Sequence, residues 1–297
     1  MNLAALNGLF AIPGHLCFEQ GEGGLTKAVV DNHYARCELY LHGAHVTSFA
    51  PKGAGELLWL SKSAAYSEGK AIRGGVPICW PWFGPDPEAK GRAQHGFARN
   101  RLWTLFGTSV NGRGETVLRL GLQDSDETMA LWPHAFALEY TVTVGESLGM
   151  ELMTRNSGDT PFTISQALHS YLEVDDVENV TIAGLEGCFY LDKLLPGERA
   201  VQEGALTFTG ETDRIYEDDT PSCLLRDGSR SVAVFKSGSK TTVVWNPWEK
   251  KAAQMEDFDD EGFRRMVCIE TANAASDLRT VAPGESHTIS QTVSPGV

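Results

Sequence analysis

Two titratable side chains in this 297-residue chain stand where strand patterning makes them costly: His169 in ALHSYLEV, at 167–174, and Glu270 in CIETAN, at 268–273. Both runs have the apolar character of buried strands, where a carboxylate without a cationic neighbour is rare and tends to be functional. Cβ direction flips at each residue of a strand, so Glu270 shares its side with Cys268 and Met266, while Val267 and Ile269 point away. No Lys or Arg lies two residues from it on that side. By the same alternation Ser165, His169 and Tyr171 face opposite to Ile164, Leu168 and Leu172. A lone strand histidine is also at home as a satisfied structural residue. Set against a carboxylate on a facing strand, it makes an acid/base pair, the simplest catalytic device that needs no cofactor.

The stretch 72–101 is the second concentration of chemistry. It reads IRGGVPICWPWFGP, a charged link, then RAQHGFARNR. His95 precedes Gly96, so its imidazole can project from a turn that lets a ligand come close to the backbone, or bond to a neighbouring carbonyl. Arg73, beside Gly74-Gly75, and Arg99 can form a guanidinium fork for a phosphate or carboxylate; surface ion pairs are the alternative for each. The formal net charge is -14, so arginines gathered here oppose the average composition. Trp80 and Trp82 around Pro81, and Trp245 and Trp248 around Asn246-Pro247, offer aromatic faces suited to the C–H face of a sugar, and are equally ordinary core material.

Several classes are excluded. The acidic balance argues against nucleic acid, which is held by Lys and Arg neutralising phosphates. Six cysteines, at 17, 37, 79, 188, 223 and 268, show neither a C-x-x-C pair nor zinc spacing and read as free buried thiols in a reducing cytosol. The acidic run at 256–261 lacks the order of a calcium loop and reads as a solvated loop. Gly74-Gly75 fits no nucleotide fingerprint, and there is no G-x-S-x-G elbow. The apolar N-terminus lacks a basic region and a cleavage site, and no stretch reaches the ~18 apolar residues of a membrane span. A cytoplasmic protein, without membrane or nucleic-acid partners, is expected.

The elements that must position these residues are strands. Short runs rich in β-branched and aromatic residues, bounded by turn formers, occur at 37–42, 46–50, 116–122, 138–144, 149–155, 162–173, 231–236, 241–246 and 266–271. Helical period is weak; 61–66 and 276–278 are short helical candidates, with a turn at 128–130. With no linker, repeat or low-complexity segment, the chain reads as one all-β domain over 1–297, a large antiparallel β-sandwich.

These segments resemble the aldose 1-epimerase superfamily and, within it, the hexose-6-phosphate branch. The resemblance runs in fixed order through 72–84, QHGFAR at 94–99, 167–174, TDRIY at 212–216, VVWNPW at 243–248 and 268–273. It implies a supersandwich of the galactose mutarotase type with the sugar on one concave face. It implies His169 as the acid at the ring oxygen and Glu270 as the base at the anomeric hydroxyl. It further implies substrate-binding roles for Gln94, His95, Asp213 and Trp245, and phosphate binding by Arg73 and Arg99. The implied reaction interconverts the anomers of an aldohexose 6-phosphate, glucose 6-phosphate foremost, with neither cofactor nor metal, in a monomer. A mutarotase of neutral hexoses such as galactose and a non-catalytic carbohydrate-binding protein are the alternatives; a glycosidase ordinarily needs two carboxylates, and only Glu270 stands out.

Overall fold

Alternation of apolar and polar residues builds the strands. In Phe136–Val144 the side chains of Phe136, Leu138, Tyr140, Val142 and Val144 are buried, and the residues between them are partly exposed. Leu148–Asn156 repeats the pattern and pairs with it along its whole length. The computed structural model describes residues 2–195, 197–217, 219–228 and 230–296.

Among the described residues, two large antiparallel sheets dominate. One has nine strands, in the order Leu206–Thr207, Val180–Ala183, Ser222–Asp227, Arg230–Ser237, Ser286–Pro295, Leu148–Asn156, Phe136–Val144, Thr116–Gln123 and Thr104–Val110. The other runs Arg199–Val201, Phe189–Asp192, Thr212–Glu217, Thr241–Asn246, Met266–Asn273, Gln166–Leu168 and Ile78–Cys79, with Tyr171–Glu173 also paired to Met266–Asn273. A four-stranded sheet from Leu16–Gln20 to His45–Pro51 adds its apolar face to the same core. The expected antiparallel β-sandwich is therefore the architecture observed.

Several local expectations change. The stretch 162–173 is three strands: Phe162–Ile164 pairs with Arg279–Val281, while Gln166–Leu168 and Tyr171–Glu173 pair with Met266–Asn273. His169 lies in a gap, because its N–H donates to Pro77 O at 3.1 Å, outside that ladder. Residues 61–66 hold a turn at 62–63 and are otherwise irregular, the region 276–278 is a 3-10 turn at Ala275–Asp277, and the turn at 128–130 lies in a short helix, Asp126–Leu131, with a Ser125–Thr128 capping box. Helices at Leu3–Phe10 and Trp248–Ala252 were not foreseen. No described helix is long and apolar enough to cross a membrane.

One buried side chain ties the sheets together where the ladder is interrupted. Gln291, from Ser286–Pro295 of the nine-stranded sheet, accepts a hydrogen bond from Ser170 Oγ. Its Nε2 donates to Ile269 O at 3.2 Å and Thr271 Oγ1 at 3.1 Å. It thus holds the residue after His169 and both residues flanking Glu270. Gln291→Leu leaves three buried polar groups without their partner and is expected to lower the unfolding free energy by roughly 2–4 kcal/mol. Urea unfolding measures this; a change within about 0.5 kcal/mol, typical of a surface substitution, contradicts it.

Candidate active site

Strand register brings the two principal residues together. Before the gap the pairs are Gln166 with Asn273, Ala167 with Ala272 and Leu168 with Thr271; after it, Tyr171 pairs with Cys268 and Leu172 with Val267. The count runs through the gap unchanged, which sets His169 opposite Glu270. Directly opposed strand residues have neighbouring Cβ atoms, and here His169 Nε2 lies 3.4 Å from Glu270 Oε1. On the other side Glu270 pairs with Val243, and Val243 with Ile215; the adjacent row is Cys268, Trp245 and Asp213. One face of the sheet thereby presents His169, Glu270, Trp245 and Asp213 to a cleft of about 220 Å³, lined also by Arg73, Phe83, Gln94, His95, Arg99, Lys193, Lys251 and Met255. A larger hollow of about 700 Å³ lies among Phe106, Leu122 and Met153. It is lined by no histidine and carries no comparable acid/base pair, which leaves the smaller cleft as the candidate site.

Burial sets the protonation of the pair. Glu270 is 1% exposed and His169 6%. Burial, with Asp213 adding to it, holds the Glu270 carboxyl well above the usual carboxylate range against the opposing pull of Lys193 and Arg99. Burial, followed by His95, Arg99 and Arg73, holds the His169 imidazole well below the usual histidine range. Both shifts favour the uncharged form of each group, whereas the acid and base roles that the resemblance implies draw on their charged forms. Glu270 Oε2 and His169 Nδ1 are buried without a hydrogen-bond partner, which leaves both groups capacity for a ligand. The His169 ring stacks on Tyr171 with centroids 4.8 Å apart and planes 10° from parallel.

His95 projects from a turn, as its glycine neighbour suggests. It has a φ of 63°, and Gly96 comes so close to the Trp80 carbonyl that an added Cβ would meet its oxygen at 1.9 Å. The Gly84 N–H donates to His95 Nδ1 at 3.3 Å, and the His95 N–H donates to Gly84 O at 2.7 Å. Burial, then Arg99, Lys193 and Arg73, keeps the imidazole neutral. With Nδ1 accepting, the proton stands on Nε2, making His95 a fixed donor on the cleft wall.

The cations differ in freedom. Arg73 spends two donors on Asp257, at 3.2 Å each, and one on Tyr171 Oη at 3.0 Å. Arg99 donates one N–H to the backbone oxygen of Gln94 at 3.0 Å, and its buried Nε has no partner. Gln94 thus touches Arg99 through its carbonyl. Asp213 binds Lys193 Nζ at 2.7 Å; burial nevertheless raises its pKa, Lys193 offsetting only part.

Sequence reasoning missed Lys193, Lys251 and Tyr171 as parts of this site, and Asp257, in the run at 256–261, is an anchor for Arg73 where a solvated loop is expected. Lys193 carried no signal, because only the pairing of Phe189–Asp192 with Thr212–Glu217 brings it beside Asp213. Trp80 and Trp82 are core, their indole N–H groups donating to Thr154 Oγ1 and Ala93 O, while Trp248 packs on Phe263; of the four tryptophans weighed, Trp245 lines the cleft. Cys37, Cys79, Cys223 and Cys268 are buried as expected, but Cys188 is only partly buried and Cys17 is exposed.

The family model described as aldose 1-epimerase matches residues 27–294. A protein of Cenchrus ciliaris named as a candidate glucose-6-phosphate 1-epimerase is 37% identical over 88% of this chain and 82% of its own length. A protein of the same name from Escherichia coli is 36% identical over 89% and 88%. The crystal structure of a candidate mutarotase from Salmonella typhimurium superposes with a TM-score of 0.89 at 33% identity, covering 97% of this chain and 96% of that one. A galactose mutarotase related enzyme of Lactobacillus acidophilus shares the fold at a TM-score of 0.71 and 16% identity, over 91% and 97%.

The raised Glu270 pKa has a stability consequence. In the unfolded chain this group ionises near 4.5, whereas the folded carboxyl keeps its proton to a higher pH. The native state then binds more protons, so this group's contribution to stability is present below that value and is lost as pH rises through the folded pKa. Glu270→Gln, always neutral, is expected to gain stability over the wild type between acid and neutral pH. Urea unfolding at both ends of that window measures it; an advantage that shrinks as pH rises contradicts the buried neutral carboxyl.

Proposed function

Because this chain belongs to the aldose 1-epimerase family, we propose that it interconverts the α and β anomers of an aldohexose 6-phosphate, glucose 6-phosphate foremost, with His169 and Glu270 as the acid/base pair. The observation that carries the reading is this buried pair, 3.4 Å apart, beneath a cleft walled by Arg73, Arg99 and Lys193 in a strongly acidic protein. The names of the relatives support the phosphorylated substrate.

Ring opening uses the ion-pair form. Glu270 carboxylate takes the proton from O1 as His169 imidazolium gives one to O5; the C1–O5 bond breaks and C1=O1 forms. The aldehyde turns about C1–C2. Closure uses the neutral form: Glu270 returns its proton to O1, and neutral His169 removes the O5 proton as O5 attacks the other face of C1. One proton shared by the pair serves both directions. His95 donates from Nε2 to a sugar oxygen, Asp213 and Gln94 bind hydroxyls, and Trp245 meets the C–H face.

Magnetisation-exchange NMR between the anomers of glucose 6-phosphate, and in parallel of free galactose, tests the reading. Glu270→Gln is expected to slow enzymic exchange by about 10² to 10⁴; near-normal turnover sinks the pair assignment. Arg99→Ala is expected to raise KM for glucose 6-phosphate by about tenfold to a hundredfold, the worth of a charge-assisted hydrogen bond, with galactose little affected. Equal losses on both sugars would remove the phosphate role.

The rate is also expected to follow a bell in pH. Its acid limb lies below the ordinary histidine value of 6.5, where the pair gains a second proton. Its alkaline limb lies above the ordinary carboxylate value of 4.5, where the pair loses its only one. A flat profile, with product release shown not to limit, contradicts a one-proton pair.

A further inference from the structure

We propose that His169, Cys268 and Glu270 together form a binding site for a thiophilic divalent cation, zinc above all, and that zinc bound there excludes the sugar. One donor atom from each residue lies within 4.8 Å of the other two, and all three residues are buried. Cys268 is two residues before Glu270 on the same side of the strand, across from Tyr171 and Trp245 in the neighbouring strands. Ring opening makes no use of its thiol. A second observation points to a ligand: Glu270 Oε2 and His169 Nδ1 are buried with no hydrogen-bond partner.

The donor set selects the ion. Imidazole nitrogen, thiolate sulfur and carboxylate oxygen suit zinc, whereas magnesium and calcium prefer oxygen throughout. Three protein ligands, with a fourth position left to water on the cleft side, is the arrangement of an open zinc site. Bonds of about 2.0 to 2.3 Å place tetrahedral ligands roughly 3.5 Å apart, so donors spread over as much as 4.8 Å close on the ion through side-chain movements of about an ångström. Binding releases the thiol proton of Cys268 and the proton of the His169–Glu270 pair to solvent, and the resulting thiolate and carboxylate cancel the 2+ charge. Arg73, Arg99 and Lys193 oppose a cation here, which makes the site weaker than a structural zinc centre. The ion would occupy both groups that exchange protons with O1 and O5, so the sugar and zinc compete.

The binding arm of the test is independent of the epimerase reading; the inhibition arm rests on it. Cobalt(II), added to the full-length protein without sugar, is expected to give a thiolate-to-cobalt charge-transfer band that zinc abolishes by displacement and that Cys268→Ser lacks. In anomer exchange, zinc is expected to inhibit competitively with glucose 6-phosphate. Cys268→Ser should retain exchange in the absence of zinc and need at least about tenfold more zinc for half-inhibition, a loss seen even when only an outer partner of a metal ligand is removed. If Cys268→Ser does not fold, Cys268→Ala carries the same comparison. A band that persists in the variant places the metal on another cysteine and overturns the site, as does the absence of a band from the wild type or unchanged zinc sensitivity in the variant. Absence of anomer exchange in the wild type would instead overturn the epimerase reading and leave the cobalt result standing.

Discussion

A carboxylate and an imidazole held face to face inside a β-sandwich constrain everything around them. All eight residues of Met266–Asn273 are buried, so Glu270 cannot turn to water for solvation. A single buried group of this kind costs stability; two that share one proton can remain neutral together. The register of Met266–Asn273 against the broken strand beside it achieves this, setting His169 opposite Glu270 where the ladder has opened. In that gap the His169 N–H bonds to Pro77 O instead, and Gln291 from the facing sheet closes the arrangement from behind. The nine-stranded sheet thus orients the candidate chemistry without touching the cleft.

Around that pair, fixed charges and dipoles replace the water that burial removes. Arg73 is locked by Asp257 and Tyr171, and Tyr171 stacks in turn on His169. The positive end of the cleft and the imidazole are therefore one packed unit. The backbone N–H of His95 donates to Gly84 O and holds the turn, while the Gly84 N–H donates to the ring Nδ1 and fixes its tautomer. Donors oriented in advance need little reorganisation when charge moves during a reaction, and in a low-dielectric cleft they act more strongly than in water.

Legibility followed the physics of each segment. Strands with both sufficient length and clear alternation, such as Phe136–Val144 and Leu148–Asn156, were readable to within a residue or two. Arg199–Val201, fully exposed, and Leu206–Thr207, two residues long, have no periodicity to read. Residues 61–66 resembled a helix by composition but hold a turn at 62–63, the Ser63 N–H bonding to Ser61 Oγ. The run 162–173 alternated well enough to read as one strand, because periodicity reports which residues are buried and says nothing of which neighbour accepts each N–H. Of the aromatic residues, Trp80 and Trp245 are chemically identical in sequence; which one met the cleft depended on which side of the sheet its strand exposed.

The sequence by itself determined the class of the molecule and the chemistry it could offer: an antiparallel sandwich from alternation, and His169, Glu270, His95 and the arginines from residue types set in costly surroundings. Those properties are local, and short windows of side chains carry them. Only the tertiary structure decided that His169 meets Glu270, that Arg73 is tied to Asp257 while Lys193 arrives beside Asp213, that Cys268 joins the pair, and that burial favours the uncharged form of both groups. Each of these depends on contacts between residues from about twenty to nearly two hundred positions apart, or on how completely water is excluded, and neither quantity is encoded in a short stretch of chain.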